Sequence, residues 1–406
     1  MVTSPPFSTV ERIDKLHSAA ADSFSLTRGG PFHRLQVRFG FAGDERQRVV
    51  RRALLAVLLT WLPLFILSLV QGQAYGTQIK IPFLRDLAVN VRFLIAAPIL
   101  ILAESAIDQR WRKLVLQFLR SRLVGEKQLP SFESVIERII RLRDRVLPEA
   151  LLLVAAFLPS ILFRTGVLMS GVPNWHTTGV GSGEVSLAGW WFNLVSTPFF
   201  RFLLLRWVWR MFLWTSFMWR VSRINLQLVA THTDMAAGLG FLSDGQKAFS
   251  PIVFAGGAVI AAQVANAIAY AGATLSSQKL LMIAYGVMAI IVLVAPLLVV
   301  APVLLKIKRK ALLEYGALVT IHDQQFDEKW IQKQQRPDEE ILGNPDASSL
   351  VDLGSSFTVV RQMGLVPVDK PTLITLALAA ALPMAPVVLY ATPADEIVRA
   401  VLKMLS

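Results

Sequence analysis

Cysteine is absent from this chain of 406 residues, and histidine occurs only five times. The lack of cysteine excludes disulfide bonds, thiolate nucleophiles and cysteine-ligated zinc or iron–sulfur centres. The few histidines are not spaced as metal ligands, so we expect neither a metal nor another cofactor. A recognisable nucleophile constellation is also missing, which makes an enzyme the least favoured functional class.

Charge is scarce as well. Only 17% of the residues are charged, 54% are hydrophobic, and the mean hydropathy is +0.52. Soluble domains rarely combine these values, and several apolar runs are long enough to cross a bilayer. The sequence therefore predicts a polytopic membrane protein. The first residues contain no short apolar segment with a small-residue cleavage site, so a cleaved signal peptide is not expected.

Seven apolar stretches approach the roughly 20 residues that a bilayer core requires. They are about Ala53–Val70, Leu87–Ile107, Leu147–Met169, the run that starts at Leu187, Phe249–Ala273, Leu280–Leu305 and Pro371–Ala391. The fourth run would form a helix of about 50 Å if it continues to Trp219, so its inner end should project into the cytoplasm. We predict an all-α fold, a polytopic membrane helical bundle with about seven transmembrane helices and cytoplasmic amphipathic helices.

Lysine and arginine alternate between the segments that separate these stretches. The segments on one side hold 9, 10, 3 and 9 of them, and the segments on the other hold 2, 0, 1 and 2. The positive-inside bias places the basic side, with the N-terminus, in the cytoplasm and the C-terminus outside. The net charge of +13 then reflects topology and attraction to anionic lipid headgroups. Nucleic-acid binding is not required.

These features divide the chain into six segments. The polar cytoplasmic N-terminus is 1–52, the first two membrane helices occupy 53–107, and 108–146 forms a cytoplasmic pair of amphipathic helices. Membrane helices three to six occupy 147–305 with a Gly-rich cytoplasmic loop at 220–248, a cytoplasmic helix and loop occupy 306–370, and 371–406 holds the last membrane helix and a short outer amphipathic helix.

Charged side chains within the apolar stretches are costly and need a reason. The arginines are Arg92 and Arg164 toward the outer side, Arg201 near the midplane, and Arg206 and Arg210 in the inner half, while Glu104 and Glu149 are the only acids. One interpretation is that the glutamates form structural ion pairs with the arginines. The other is that the surplus of arginines attracts an anion along a pathway through the bundle.

A further polar residue, Asn266, falls at four-residue spacing with Ala258, Ala262 and Tyr270 on one face of the fifth stretch. Close helix packing joined by an amide is one interpretation of this face. A wall of the polar pathway is the other.

The stretch THTDMAAGLGFL, from Thr231 to Leu242, interrupts the apolar sequence. His232 and Asp234 could mark a ligand site, although two such residues do not make a metal site. Alternatively, Thr231, Thr233 or Asp234 caps a helical turn that Gly238 or Gly240 ends with a positive φ.

This stretch resembles a T-H-P-D-x-A-G-G-L-G-F-L block in a group of uncharacterised bacterial polytopic membrane proteins, from which it departs at Thr233 and Ala237. Ser348–Asp369 resembles a second block of the same group, placed just before the last membrane helix. The resemblance implies a bacterial inner membrane and brings no established activity with it.

Three functional hypotheses follow. The first is a transporter or channel for an anionic solute, based on the surplus of arginines and on the prolines that recur in the membrane helices. The second is a membrane scaffold or sensor that binds partners through its cytoplasmic helices. The third is an enzyme that acts on lipid at the inner interface through His232 and Asp234. Assembly into a homo-oligomer is compatible with all three.

Overall fold

The structure, a computed structural model, describes residues 24–38, 45–77, 79–162, 174–178, 184–332 and 345–392. Within these ranges the chain is all-helical and contains no strand, only two isolated bridges that pair Ile81 with Asn174 and Thr177 with Val185. The predicted fold class is therefore confirmed at the level of an all-α protein.

Ten helices organise the described part of the chain, with a few short turns between them. They are α1 (Gly30–Arg38), α2 (Gln47–Val70), α3 (Leu87–Arg120), α4 (Leu129–Arg143), α5 (Val146–Leu162), α6 (Thr197–Val221), α7 (Phe241–Ala271), α8 (Leu275–Gln332), α9 (Pro345–Gln362) and α10 (Lys370–Ala391). A short helix at Leu187–Trp191 and a π-turn at Phe192–Ser196 lead directly into α6.

Five of these helices, α2, α3, α7, α8 and α10, are long and apolar enough to cross a membrane. The pair α4 and α5, bent by 44°, brings the number to six if it forms one span. The protein is thus an integral, multi-pass membrane protein. α6 is not among these helices, because Arg201, Arg206 and Arg210 lower its hydropathy. The fourth of the seven predicted spans, which contains α6, stays a prediction.

Two helices extend well beyond the thickness of a bilayer. α8 has 58 residues and α3 has 34, which correspond to about 87 and 51 Å of helix. The extension of α8 past Lys310 was expected. The continuity of α3 through Asp108 was not, since the sequence suggested a separate amphipathic helix there. No glycine or proline follows Pro98 within α3, so nothing local stops the helix.

Two prolines, Pro98 and Pro198, are each preceded by a widened helical turn. π-turns at Arg92–Ala96 and Phe192–Ser196 each lie just before a proline, Pro98 and Pro198. A proline supplies no N–H to the preceding turn, so the carbonyls there need other partners. A wider turn relieves this mismatch while the helix continues.

The C-terminal parts of α3 and α6 meet the N-terminal parts of α4 and α7 in an aromatic core. Its largest members are almost fully buried: Trp111, Phe118, Phe132, Trp214, Phe217 and Phe249. Trp111 stacks on Trp214 with ring centroids 5.5 Å apart. The sequence suggested that Trp207 and Trp214 lie at the membrane interface, but both are buried in this core, because α3 and α7 cover that face of α6.

Outside the bundle, α8 folds against α9. His322 Nε2 lies 2.9 Å from Ser349 Oγ, and Lys329 Nζ donates to Asp346 Oδ2 at 2.7 Å. The sequence predicted the projecting part of α8, but α9 falls in a stretch that was expected to be mostly loop.

Candidate functional site

Glu104 of α3 lies at the centre of a buried arginine cluster, which we define as Glu104, Arg52, Arg206 and Arg210. Arg206 Nη1 approaches Glu104 Oε1 at 3.4 Å and Arg210 Nη2 approaches the same oxygen at 2.9 Å. Arg52, from α2, donates to the other carboxylate oxygen. Glu104, Arg206 and Arg210 are only 4%, 5% and 2% exposed. The cluster therefore joins three helices inside the bundle.

The cluster carries more positive than negative charge. Three guanidinium groups face the Glu104 carboxylate, and Glu149 adds a second negative charge near Arg206, so positive charge still exceeds negative charge by one. Aromatic faces supply part of the compensation: the Cζ atom of Arg206 lies 4.7 Å from the Phe32 ring centre, and that of Arg210 lies 4.8 Å from the Trp207 ring centre. Such contacts attract a cation but accept no strong hydrogen bond.

Arg210 is the least satisfied member of the cluster. Its Nη2 atom forms an ion pair with Glu104, but the approach lacks the geometry of a hydrogen bond. Its Nη1 atom has no hydrogen-bond partner in the part of the chain that the structure describes. A buried guanidinium with free N–H groups is a preformed donor for an anion.

Glu149 does not share the position that the sequence suggested for it. Its carboxylate accepts a hydrogen bond from the Phe32 backbone N–H at 2.7 Å, and it acts on Arg206 only as a nearby charge. Glu104 is thus the glutamate that forms the ion pairs. The positions of the two glutamates along their helices could not show which of them pairs with arginine. Their partners depend on how the N-terminal segment folds back.

Two other arginines from the sequence analysis lie outside the cluster. Arg201 Nη1 donates to the Ser160 hydroxyl of α5 at 3.0 Å. The Cζ atom of Arg92 lies 5.9 Å from the Phe200 ring centre on α6. Arg164 falls outside the described residues.

Asn266 participates in a polar junction at the start of α3. Its amide nitrogen donates to Asp86 Oδ1 at 2.8 Å, and its oxygen accepts from the Leu87 N–H at 3.1 Å. Trp175 Nε1 donates to the other Asp86 oxygen at 3.0 Å. Asp86 also caps the start of α3. The sequence analysis missed Asp86, although an acid directly before an apolar helix is a capping signal.

Asp234 holds the Gly-rich loop together. Its carboxylate accepts the N–H groups of Ala236, Gly238 and Gly240 at 2.9, 3.1 and 2.7 Å. Burial opposes ionisation, but these hydrogen bonds and the neighbouring His232 hold the pKa of Asp234 below its usual value. The capped-turn interpretation describes this geometry. Asp234 is therefore occupied by the backbone of its own loop.

Of the two glycines expected to end the capped turn with a positive φ, Gly238 is the one that does so. Gly238 has a positive φ of 94°, and so do Met235 and Ala237, at 53° and 55°. Gly240 has a φ of −59°. Glycine is needed there for space, since an added Cβ would lie 2.9 Å from the Cβ of Asp234.

The two sequence blocks that resemble the bacterial group lie against each other. The Gly364 N–H donates to the Met235 carbonyl at 2.8 Å, and the Ser243 hydroxyl donates to Asp369 at 2.6 Å. Burial opposes ionisation of Asp369, yet hydrogen bonds from Ser243, Thr372 and Lys247 hold its pKa well below the usual range. The blocks thus share a structural role at the start of α10.

One turn beyond Glu104, Asp108 binds the N-terminal segment. Its Oδ1 atom accepts the Ser25 hydroxyl at 2.7 Å and the N–H groups of Leu26 and Thr27 at 3.0 and 3.1 Å. Arg112 pairs with its Oδ2 atom at 3.1 Å. The sequence analysis did not anticipate this contact, because residues some 80 positions apart form it.

Among the described residues no group of three or more histidines or acids could hold a metal ion. No protein-family model, curated protein or solved structure matches the chain. The geometry of the arginine cluster is therefore the main observation on which a function can be argued.

Proposed function

We propose that this integral membrane protein binds an anionic solute and carries it across the bilayer, with Arg52, Arg206 and Arg210 as the inner anion-binding site. The observation that carries the proposal is the buried excess of positive charge around Glu104. Desolvating unbalanced charge is costly, so a purely structural cluster would be expected to contain equal numbers of the two signs. A bound anion would remove the imbalance.

Further support comes from the order of arginines along α6. Arg201, Arg206 and Arg210 follow one another on this helix. Successive cationic positions at different depths would let an anion move between weak sites, as conduction requires.

The test is anion uptake into liposomes that contain the purified protein. Arg210→Gln should fold, since Arg52 and Arg206 still neutralise Glu104, and should lower flux at least tenfold, about the value of one charge-assisted hydrogen bond. Arg110→Gln, an exposed arginine on α3, is the matched control and should transport normally. Flux equal to that of the unaltered protein in Arg210→Gln would refute this role of the cluster.

Arg201 allows a second test. Arg201→Gln should remain folded and lose flux if the guanidinium serves the anion. If the hydrogen bond between Arg201 and Ser160 is only structural, Arg201→Gln and Ser160→Ala should destabilise the protein to a similar degree. Transport per folded molecule should then stay unchanged in both variants.

We also propose that the protein resides in a bacterial inner membrane with the N-terminus in the cytoplasm and the C-terminus outside. Its basic cytoplasmic segments would then face anionic lipid headgroups. A reporter fused after Lys310 should be cytoplasmic, and one fused after Ser406 should be periplasmic.

A scaffold or sensor is the second candidate. It is favoured by the projecting part of α8, where Leu313 is 77% exposed and Leu318 and Ile321 are about half exposed. A solvated helix does not normally present such residues together. Absence of flux for every anion tested, with intact binding of a cytoplasmic protein that Leu313→Glu abolishes, would favour this candidate over transport.

A further inference from the structure

Four buried side chains next to the arginine cluster have hydrogen-bonding atoms without a partner in the described chain. These atoms are Arg210 Nη1, Trp111 Nε1, Trp214 Nε1 and both polar atoms of the Gln246 amide. Arg210 is 2% exposed and the other three side chains are fully buried. Native structures rarely leave buried donors unpaired, so a group of them needs an explanation.

Contacts between α3, α6 and the start of α7 link the four residues. Arg210 and Trp214 are four residues apart on α6 and therefore share one helix face. Trp214 stacks on Trp111 of α3. The Trp111 ring lies 5.7 Å from the ring of Phe249, which follows Gln246 by about one turn at the start of α7.

The surroundings restrict the chemistry of a ligand. An indole N–H and a guanidinium can only donate, and the amide offers two donors and one acceptor. The neighbouring walls are the aromatic rings of Trp207 and Phe249. A site rich in donors and walled by aromatic rings suits a single negative charge that gives up its water easily. A sulfate or phosphate dianion would lose far more hydration energy there.

We propose that Arg210, Trp111, Trp214 and Gln246 form a selectivity site for a small, weakly hydrated monovalent anion of the halide or nitrate kind. The inference deepens the proposed function and rests on it for the passage of the anion across the membrane. Arg210 links the two, since one edge of its guanidinium faces Glu104 and its Nη1 atom remains free for the anion.

Binding can be measured apart from transport, by thermal unfolding of the purified protein in detergent. Sodium nitrate and sodium chloride should raise Tm in a saturable way, whereas sodium sulfate and gluconate at equal ionic strength should not. Gln246→Met removes the amide with little change in shape, and Trp214→Phe removes the indole N–H together with the pyrrole part of the ring, so each should weaken the apparent affinity about tenfold.

Trp209→Phe is the matched control, because Trp209 lies on the same helix but stacks on Phe212 and is only partly buried. It should keep the affinity of the unaltered protein. If Trp214→Phe fails to fold, Gln246→Met decides the question. A Tm that responds equally to all the salts, or an affinity unchanged in Gln246→Met, would show that buried water alone satisfies these atoms and would overturn the proposal.

Flux measurements separate the two proposals. Flux without selective stabilisation by nitrate or chloride would reject the selectivity site and keep anion transport. Selective stabilisation without flux in liposomes would keep the site and reject transport.

Discussion

Glu104 and Asp108 lie one turn apart on the same helix and serve different purposes. Asp108 is fully buried and meets a hydroxyl, two backbone N–H groups and two arginines, Arg112 at 3.1 Å and Arg28 at 3.8 Å. Glu104 is surrounded by three guanidinium groups instead. The Asp108 carboxylate attaches the N-terminal segment to α3. The Glu104 carboxylate partly neutralises a positive cluster. The two acids differ in role because they face different groups. Both are carboxylates on α3, so residue type and position on the helix do not explain the difference.

The contrast also suggests why the N-terminal segment is held in place. Asp108 fixes Ser25, and a few residues later Phe32 packs over Arg206. By holding this segment, Asp108 positions the Phe32 ring against the charged cluster. Three predictions sharpen this comparison.

The largest effect is expected for Glu104→Gln. It would leave two buried arginines and the partly exposed Arg52 without their carboxylate, and breaking buried pairs of this kind costs about 3–5 kcal/mol. The folded yield in membranes and Tm in detergent should fall sharply, and adding Arg206→Gln should restore part of the loss. The control is Glu137→Gln, because Glu137 is 69% exposed in its pair with Arg141. Unchanged stability of Glu104→Gln would mean that the cluster is already balanced in another way.

A smaller, local effect is expected for Asp108→Ala. The N–H groups of Leu26 and Thr27 lose their acceptor, at a cost of about 1–3 kcal/mol for unpaired buried groups. The segment around Phe24 should become sensitive to protease while the membrane helices stay folded. Asp352→Ala, an exposed acid on α9, provides the control. Equal protease resistance in both variants would show that Phe24, buried against Phe217, holds the segment without Asp108.

The smallest effects are expected in the Gly-rich loop. Asp234 has a depressed pKa in the folded protein, so its stabilisation is present above its usual value of 3.8 and is lost as the pH falls through the folded value. Asp234→Asn should remove that acid dependence and expose the loop to hydrogen exchange. His232→Ala should change stability by less than about 0.5 kcal/mol, because half of the imidazole is exposed. A complete loss of transport in a folded His232→Ala protein would support a ligand site instead.

Some of the candidate site was predictable. The sequence indicated that Arg206 and Arg210 occupy the inner half of the bundle and that Glu104 lies at the same depth, and these three residues do meet. Arg52 was assigned to the polar N-terminus, yet α2 begins before it and carries it into the cluster. A basic residue at the end of an apolar run gives no indication of the direction in which it points.

The amino-acid sequence by itself determined the class of molecule. Long apolar runs, scarce charge and the absence of cysteine leave an all-α membrane protein as the consistent solution, because in lipid each backbone polar group must be satisfied within a helix.

Only the tertiary structure decided which polar groups face one another. The sequence allowed Glu149 to pair with an arginine. In the structure the N-terminal segment returns to Glu149, and the Phe32 N–H donates to its carboxylate. Asn266 could have lined a pathway, but the position of α7 beside the start of α3 gave it Asp86. Such contacts join residues more than a hundred positions apart, and helical periodicity carries no information about them because it describes only the face of a single helix.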